Sequence, residues 1–180
     1  MTIVASLPYA GHGVDANNRT VIPVGLSVGA SGSEVAQPVV GAGIAAGATK
    51  TLTEAAHNGS LILLDTAAGS VVTLPASTGK GAVYRFMVSV LATSNSHIVK
   101  VANSTDVMKG MVFSRDDTSD NAVSFFTGAS DDTITLNRTT TGSVVVGEYI
   151  EIEDYAAGFF RVNGFIANTG TPATPFSATV

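Results

Sequence analysis

Three histidines, a run of aspartates and one glycine cluster are the residues of this chain whose types and spacing could do chemistry. The histidines are His12, His57 and His97, in a chain rich in serine. Hydrolytic chemistry written along a sequence takes the form of a G-x-S-x-G elbow or an H-E-x-x-H helix, and neither is present. A triad assembled in space is defined by roles rather than spacing, so the sequence leaves that arrangement open. Asp116, Asp117 and Asp120 lie in RDDTSDN, with Asp131 and Asp132 further on. Calcium takes about six to eight oxygens, and the EF-hand supplies them with a central glycine and a final bidentate acid. This run has neither, so it reads as aspartates capping β-turns. Glu151 and Glu153 share one face of an alternating strand and read as solvated acids. Gly41–Gly47, GAGIAAG, has the spacing G-x-G-x-x-x-G rather than a dinucleotide fingerprint, and no amphipathic helix follows it. It reads as a flexible hinge. The chain has no cysteine, which removes disulfides, thiolate zinc sites and thiol nucleophiles together. The residues therefore point away from an enzyme, with no catalytic residue, cofactor or metal expected. Sugar sites use aromatic platforms; Trp is absent, and Tyr149, Tyr155 and outward phenylalanines are the candidates that remain.

The elements that must position these residues are β-strands. Between Ser60 and Val90, three apolar runs (Leu61–Leu64, Val71–Leu74 and Val83–Val90) are separated by clusters of Gly, Ala, Ser and Thr. In the last run Tyr84, Phe86, Val88 and Val90 share one face and Arg85 and Ser89 the other, the period of a half-buried strand. Further strands are predicted over His97–Ala102, Val107–Phe113 with a bulge at Gly110, Ala122–Thr127, Thr133–Asn137, Val144–Asp154 and Phe159–Ala167. In Val144–Asp154, Val144, Val146, Ile150 and Ile152 face one way. The last two runs pair across the turn Tyr155–Gly158. One helical turn is predicted in TLTEAAHNG, with Thr53 capping its start by its side chain, His57 on its surface and Gly59 in the left-handed position that ends it. In the last strand Phe160, Val162 and Ile166 face the core, leaving Phe159, Arg161, Asn163 and Phe165 outward. Paired outward aromatics indicate a face covered by another subunit or by the N-terminal arm; a sandwich buried on both faces is the alternative.

Outside this region the pattern changes. Residues 1–48 read as an extended arm: up to Thr49 the only charged residues are Asp15, Arg19 and Glu34, and apolar pieces are broken by Gly, Ser, Pro23 and Pro38. Such a segment becomes ordered against another surface, or else folds as an edge strand and loops on its own domain. Residues 49–167 form the β-domain, and 168–180, with Pro172 and Pro175 and no charge, an extended tail. The fold class is all-β, a small β-sandwich or barrel-like domain. Charged residues are 13 % of the chain, against roughly a quarter in ordinary globular proteins, which suits a surface that makes subunit contacts. The net charge is −5 and the cations are scattered, so the chain does not read as a nucleic-acid binder. No apolar run approaches the ~20 residues of a membrane span. The N-terminus does not read as a signal peptide, so synthesis in a cytoplasm is expected.

The words GAGIAAGATKTLTEAAHNG, LDTAAGSVVTLP and AVYRFMV, with HIVKVANSTDVMKGMVF, SDDTITLNRTTTGSVVVGEYIEIED and the ending TPATPFSATV, resemble tailed-bacteriophage head-decoration (capsid cement) proteins. The middle pattern is also similar to phage tail-fibre proteins. The decoration resemblance implies a bacteriophage virion structural protein on the outer capsid surface. It would clamp neighbouring major capsid protein subunits as a homotrimer, partly through an N-terminal arm. On that footing the capsid or subunit contacts are expected at Leu7, Pro8, Tyr9, Val14, Arg19, Val21 and Ile22 of the arm and at Phe159 and Phe165 of the last strand. The partners are then the major capsid protein and further copies of the chain. A tail-fibre or receptor-binding module is the alternative.

Overall fold

A computed structural model of the protein describes residues 13–14, 20–21 and 43–180. The chain divides into two units, 1–39 and 40–180. In the first, β1 (Gly13–Val14) and β2 (Thr20–Val21) pair antiparallel, Gly13 opposite Val21 and Val14 opposite Thr20.

The second unit is all-β apart from one helical turn. Its elements are β3 (Ile44–Ala45), β4 (Thr49–Thr51), α1 (Glu54–His57), β5 (Leu61–Leu64), β6 (Val71–Thr73), β7 (Val83–Val88) and β8 (His97–Lys100), then β9 (Val107–Asp116), β10 (Ala122–Phe126), β11 (Thr133–Leu136), β12 (Tyr149–Ala156), β13 (Phe159–Asn168) and β14 (Phe176–Ser177). They form a seven-stranded sheet in the order β10-β9-β13-β12-β7-β5-β3 and a five-stranded sheet in the order β14-β11-β8-β6-β4. From β3 to β8 the chain crosses to the other sheet after every strand. Strands that return to the same sheet therefore run the same way, and β3, β5 and β7 pair parallel, as do β4, β6 and β8.

The sandwich follows from the alternation in the sequence. In β5, β7 and β12 every second side chain is buried. Ile62, Leu64, Tyr84, Phe86, Val88, Ile150, Ile152, Phe160 and Val162 of the larger sheet join Val72, Leu74, Val99, Val101, Ile134 and Leu136 of the smaller in one apolar core. Two faces, each buried on one side only, give the period of two its meaning.

Five expectations are corrected. The run Val144–Asp154 is a strand only from Tyr149 onwards. Its first part is a turn in which the Glu148 carboxylate accepts the N–H groups of Ser143, Val144 and Val145, at 2.7, 2.7 and 2.8 Å. Ser143 and Gly147 take positive φ there, and Val146 points to solvent rather than to the core. Gly110 makes no bulge: β9 keeps unbroken register with β13, and the residue is glycine because a Cβ would strike the Val162 backbone. The irregularity falls instead at Tyr155, between Asp154 and Ala156. In the predicted hinge Gly41–Gly47, Ile44 and Ala45 pair with Ile62 and Leu63 as the edge of the larger sheet. At the helical turn Thr53 occupies the N-cap without a side-chain bond to the helix N–H groups; its N–H donates to His57 Nδ1 at 3.0 Å and its hydroxyl lies 3.4 Å from the same nitrogen, while Gly59 takes the left-handed conformation (φ 75°). Val90 lies beyond the end of β7 and is exposed.

The tail after Asn168 also carries a strand the sequence did not suggest. Ser177 and Phe176 pair with Thr133 and Ile134, Phe176 enters the core, and Asp132 accepts the N–H groups of Thr179 and Val180.

Candidate functional site

Among the described residues the ionisable side chains do not converge on one centre. His97 is buried; its Nδ1 accepts the Ser70 N–H at 3.0 Å and its Nε2 bonds the Val90 carbonyl at 2.8 Å. Both nitrogens are therefore engaged by backbone, and burial pushes its pKa below the ordinary imidazole value. Asp154 is likewise committed, to Ser77, Thr78 and Gly79. Asp116 closes an Asx turn on Thr118, whose N–H and hydroxyl hold its carboxyl below the usual range. Asp120 pairs with Arg115. Among the described residues no group of three or more His, Asp or Glu is placed to hold a metal ion, and no helix is long and apolar enough to cross a membrane.

What does converge is an apolar surface on the outer face of the larger sheet. Side chains of one parity on β5, β7, β12, β13 and β9 turn away from the core, and strand register lines them up. Leu63, Met87, Tyr149, Phe165 and Phe113 stand side by side across five strands. Phe113 and Phe165 stack, ring centroids 6.0 Å apart and planes 15° from parallel. Phe165 is 70 % exposed, Phe113 45 % and Phe126, on β10 opposite Met111, 68 %.

A charged band borders this row. Arg85 pairs with Glu151 at 3.0 Å and Arg161 with Glu153 at 2.6 Å, each across neighbouring strands. Glu151 also accepts the Tyr149 hydroxyl at 3.1 Å. Burial raises the Glu151 pKa, but hydrogen bonds from Tyr149, Arg85 and Asn163 outweigh it and leave the carboxyl below its usual range. The two glutamates expected as solvated acids are thus cross-strand ion-pair partners, because the register places a cation opposite each.

Phe159 and Phe165 share this face as expected but do not meet. Six residue steps of extended strand separate them, roughly 20 Å. Phe159, 40 % exposed, lies against Tyr155, with ring centroids 6.2 Å apart. Of the expected arm contacts, Leu7, Pro8, Tyr9, Arg19 and Ile22 lie outside the described residues; Val14 and Val21 lie in β1 and β2, their side chains outside the description. Sequence reasoning missed Phe113, Phe126 and Met87. Their alternation is visible in each strand, but the parallel pairing of β9 with β13 that brings Phe113 to Phe165 has no local sign.

No family model, curated protein or solved structure matches this chain.

Proposed function

We propose that this protein is a non-enzymatic structural protein of a bacteriophage virion. In this reading it binds the outer surface of the capsid, cements neighbouring major capsid protein subunits and associates as a homotrimer. The observation that carries the reading is the open aromatic row Tyr149–Phe165–Phe113 on a rigid sheet, bordered by charges that already pair with one another. Moving one such side chain from water into a contact contributes roughly 1.5–3 kcal/mol. Repetition over many copies makes a shell of modest contacts strong by avidity. The charge-poor arm, about Thr2–Val40, supplies a second contact in this reading, with Arg19 its only cation. The scattered cations and net charge of −5 favour a protein surface over nucleic acid as the partner.

The second reading, a tail-fibre or receptor-binding module, is favoured by the Tyr155–Phe159 pair beside Arg161, an aromatic platform with a polar neighbour. Copy number in purified particles separates the two. A ratio near one per major capsid protein is expected. A few copies per particle would move the protein to the tail, and absence from particles would overturn both. Deleting residues 2–40 is expected to abolish capsid binding while the β-domain stays folded; unchanged binding would remove the arm from the reading.

A further inference from the structure

Among the described residues the sandwich has four sheet edges, and three are guarded. β3 and β14 are two residues long, β14 directly follows Pro175, and β4 is three residues with Lys50 at its centre. Short edges, lysine and proline each discourage another strand from adding. The fourth edge, β10, has none of these: five residues, Ala-Val-Ser-Phe-Phe, uncharged, without proline and in unbroken register with β9.

Its backbone phase is fixed. Asp116 N–H donates to the Asn121 carbonyl and Thr127 N–H to the Gly110 carbonyl, at 2.9 and 3.0 Å. In an antiparallel ladder this assigns the polar groups of Asn121, Val123, Phe125 and Thr127 to β9. Those of Ala122, Ser124 and Phe126 therefore face the open edge. Phe126 is also the exposed aromatic at this rim of the outer face.

We propose that β10 is a pairing edge for a second copy of this chain, added antiparallel about a twofold axis through Ser124. That register is self-complementary. Ser124 meets Ser124 of the second copy and Ala122 meets its Phe126, so all three outward-bonding residues find outward-bonding partners, and the large ring faces the small side chain. The flanking charges agree with it. Extending the register places Asp120 opposite Gly128 of the other copy. Lys109 Nζ already sits at that point in each copy, bonded to the Gly128 and Ala129 carbonyls at 3.1 and 2.6 Å. Each exposed Asp120 carboxylate is thus brought towards a lysine of the other copy. A parallel pairing in the same register would instead set Asp120 beside Asp120. This contact is twofold, separate from the threefold association above, and does not rest on the capsid reading.

The test uses the purified full chain without capsids. Light scattering is expected to give a mass of an even number of chains, and Ser124→Lys, on the solvent side of the strand, to halve it with an unchanged circular-dichroism spectrum. Because the chain has no cysteine, Ser124→Cys offers a single thiol. A short bismaleimide is expected to give covalent dimers with Ser124→Cys but not with Ala102→Cys, exposed on a loop at the end of β8. A single-chain mass, which would leave the edge to a strand of another protein, overturns the proposal. So does a mass unmoved by Ser124→Lys, which would place a different surface between copies, or equal cross-linking at both positions.

Discussion

Gly110 and Val162 approach so closely that a Cβ on the glycine would lie 1.9 Å from the Val162 carbonyl oxygen. The two face each other in the parallel ladder between β9 and β13, and Gly110 takes φ 145°. Alanine there must push two central strands apart. Gly110→Ala is expected to cost more than about 4 kcal/mol, the scale of severe core disruption. Gly158→Ala, at φ 82° with open space around it, is expected to cost only about 1–2 kcal/mol. Urea unfolding of the two variants checks the difference; equal losses would mean that the close approach is not what requires the glycine.

Asp154 ties β12 to the connection between β6 and β7. Its Oδ1 accepts Ser77 Oγ at 2.7 Å and Gly79 N–H at 2.8 Å; Oδ2 accepts Thr78 N–H at 2.8 Å and Thr78 Oγ1 at 3.0 Å. Asp154→Ala strands these donors and is expected to cost about 3 kcal/mol or more. Burial alone would raise the carboxyl, but the bonds from Ser77, Thr78 and Gly79 outweigh it and hold its pKa below the usual range. A depressed acid stabilises the fold fully above the unfolded value, near ~4, and the contribution is lost as pH falls through the folded value. Asp154→Asn is accordingly expected to flatten the acid limb of a urea-midpoint profile below pH ~4.

His97 gives a second, separate pH window. Burial lowers its pKa, outweighing the pull of the Val90 carbonyl and Asp65. The folded state therefore binds this proton less readily than the unfolded chain. Its contribution is fully present above the unfolded value, near ~6.5, and declines as pH falls through that value towards the folded one. Stability of the wild type is expected to drop across this range, and His97→Gln, neutral throughout, to show a smaller slope from a lower starting point. A profile of identical slope in both would exclude His97 as the source.

Much of the sandwich was legible because its strands bury alternate residues: Leu61–Leu64, Val83–Val88 and Phe159–Asn168 follow the period of two almost residue for residue. The same period misled at Val144 and Val146, where apolar alternation runs through a turn held by a buried glutamate whose partners are backbone groups of any sequence. Phe176 was invisible for a related reason. Its strand exists only because β11 offers an edge and Asp132 anchors the chain beyond it. Of the outer aromatic face, the outward parity of Phe165 could be read, but its stacking on Phe113 depends on a pairing between strands more than forty residues apart.

The outward and inward phenylalanines of β13 should respond oppositely. Phe160 is fully buried and Phe165 largely exposed. Phe160→Ala is expected to cost about 3–5 kcal/mol. Phe165→Ser with Phe113→Ser should change the stability of the isolated chain by less than about 1 kcal/mol and, on the capsid reading proposed above, lower its binding to capsids. Unfolding curves and co-sedimentation with undecorated heads measure the two effects. Full binding by the double variant would take the aromatic row out of the interface.

The position of β13 between β9 and β12 has a consequence for how the molecule is made. Its ten-residue ladder with β9 joins segments that are far apart in the chain, and among the described residues it is the only strand that bridges the β9–β10 hairpin to the rest of the larger sheet. Until Asn168 has emerged, β9 and β12 each carry an unfilled edge, and no order of local folding can close it. Non-local parallel pairing of this kind makes folding slow. The larger sheet therefore stays half assembled until the β13 segment, Phe159–Asn168, has been made.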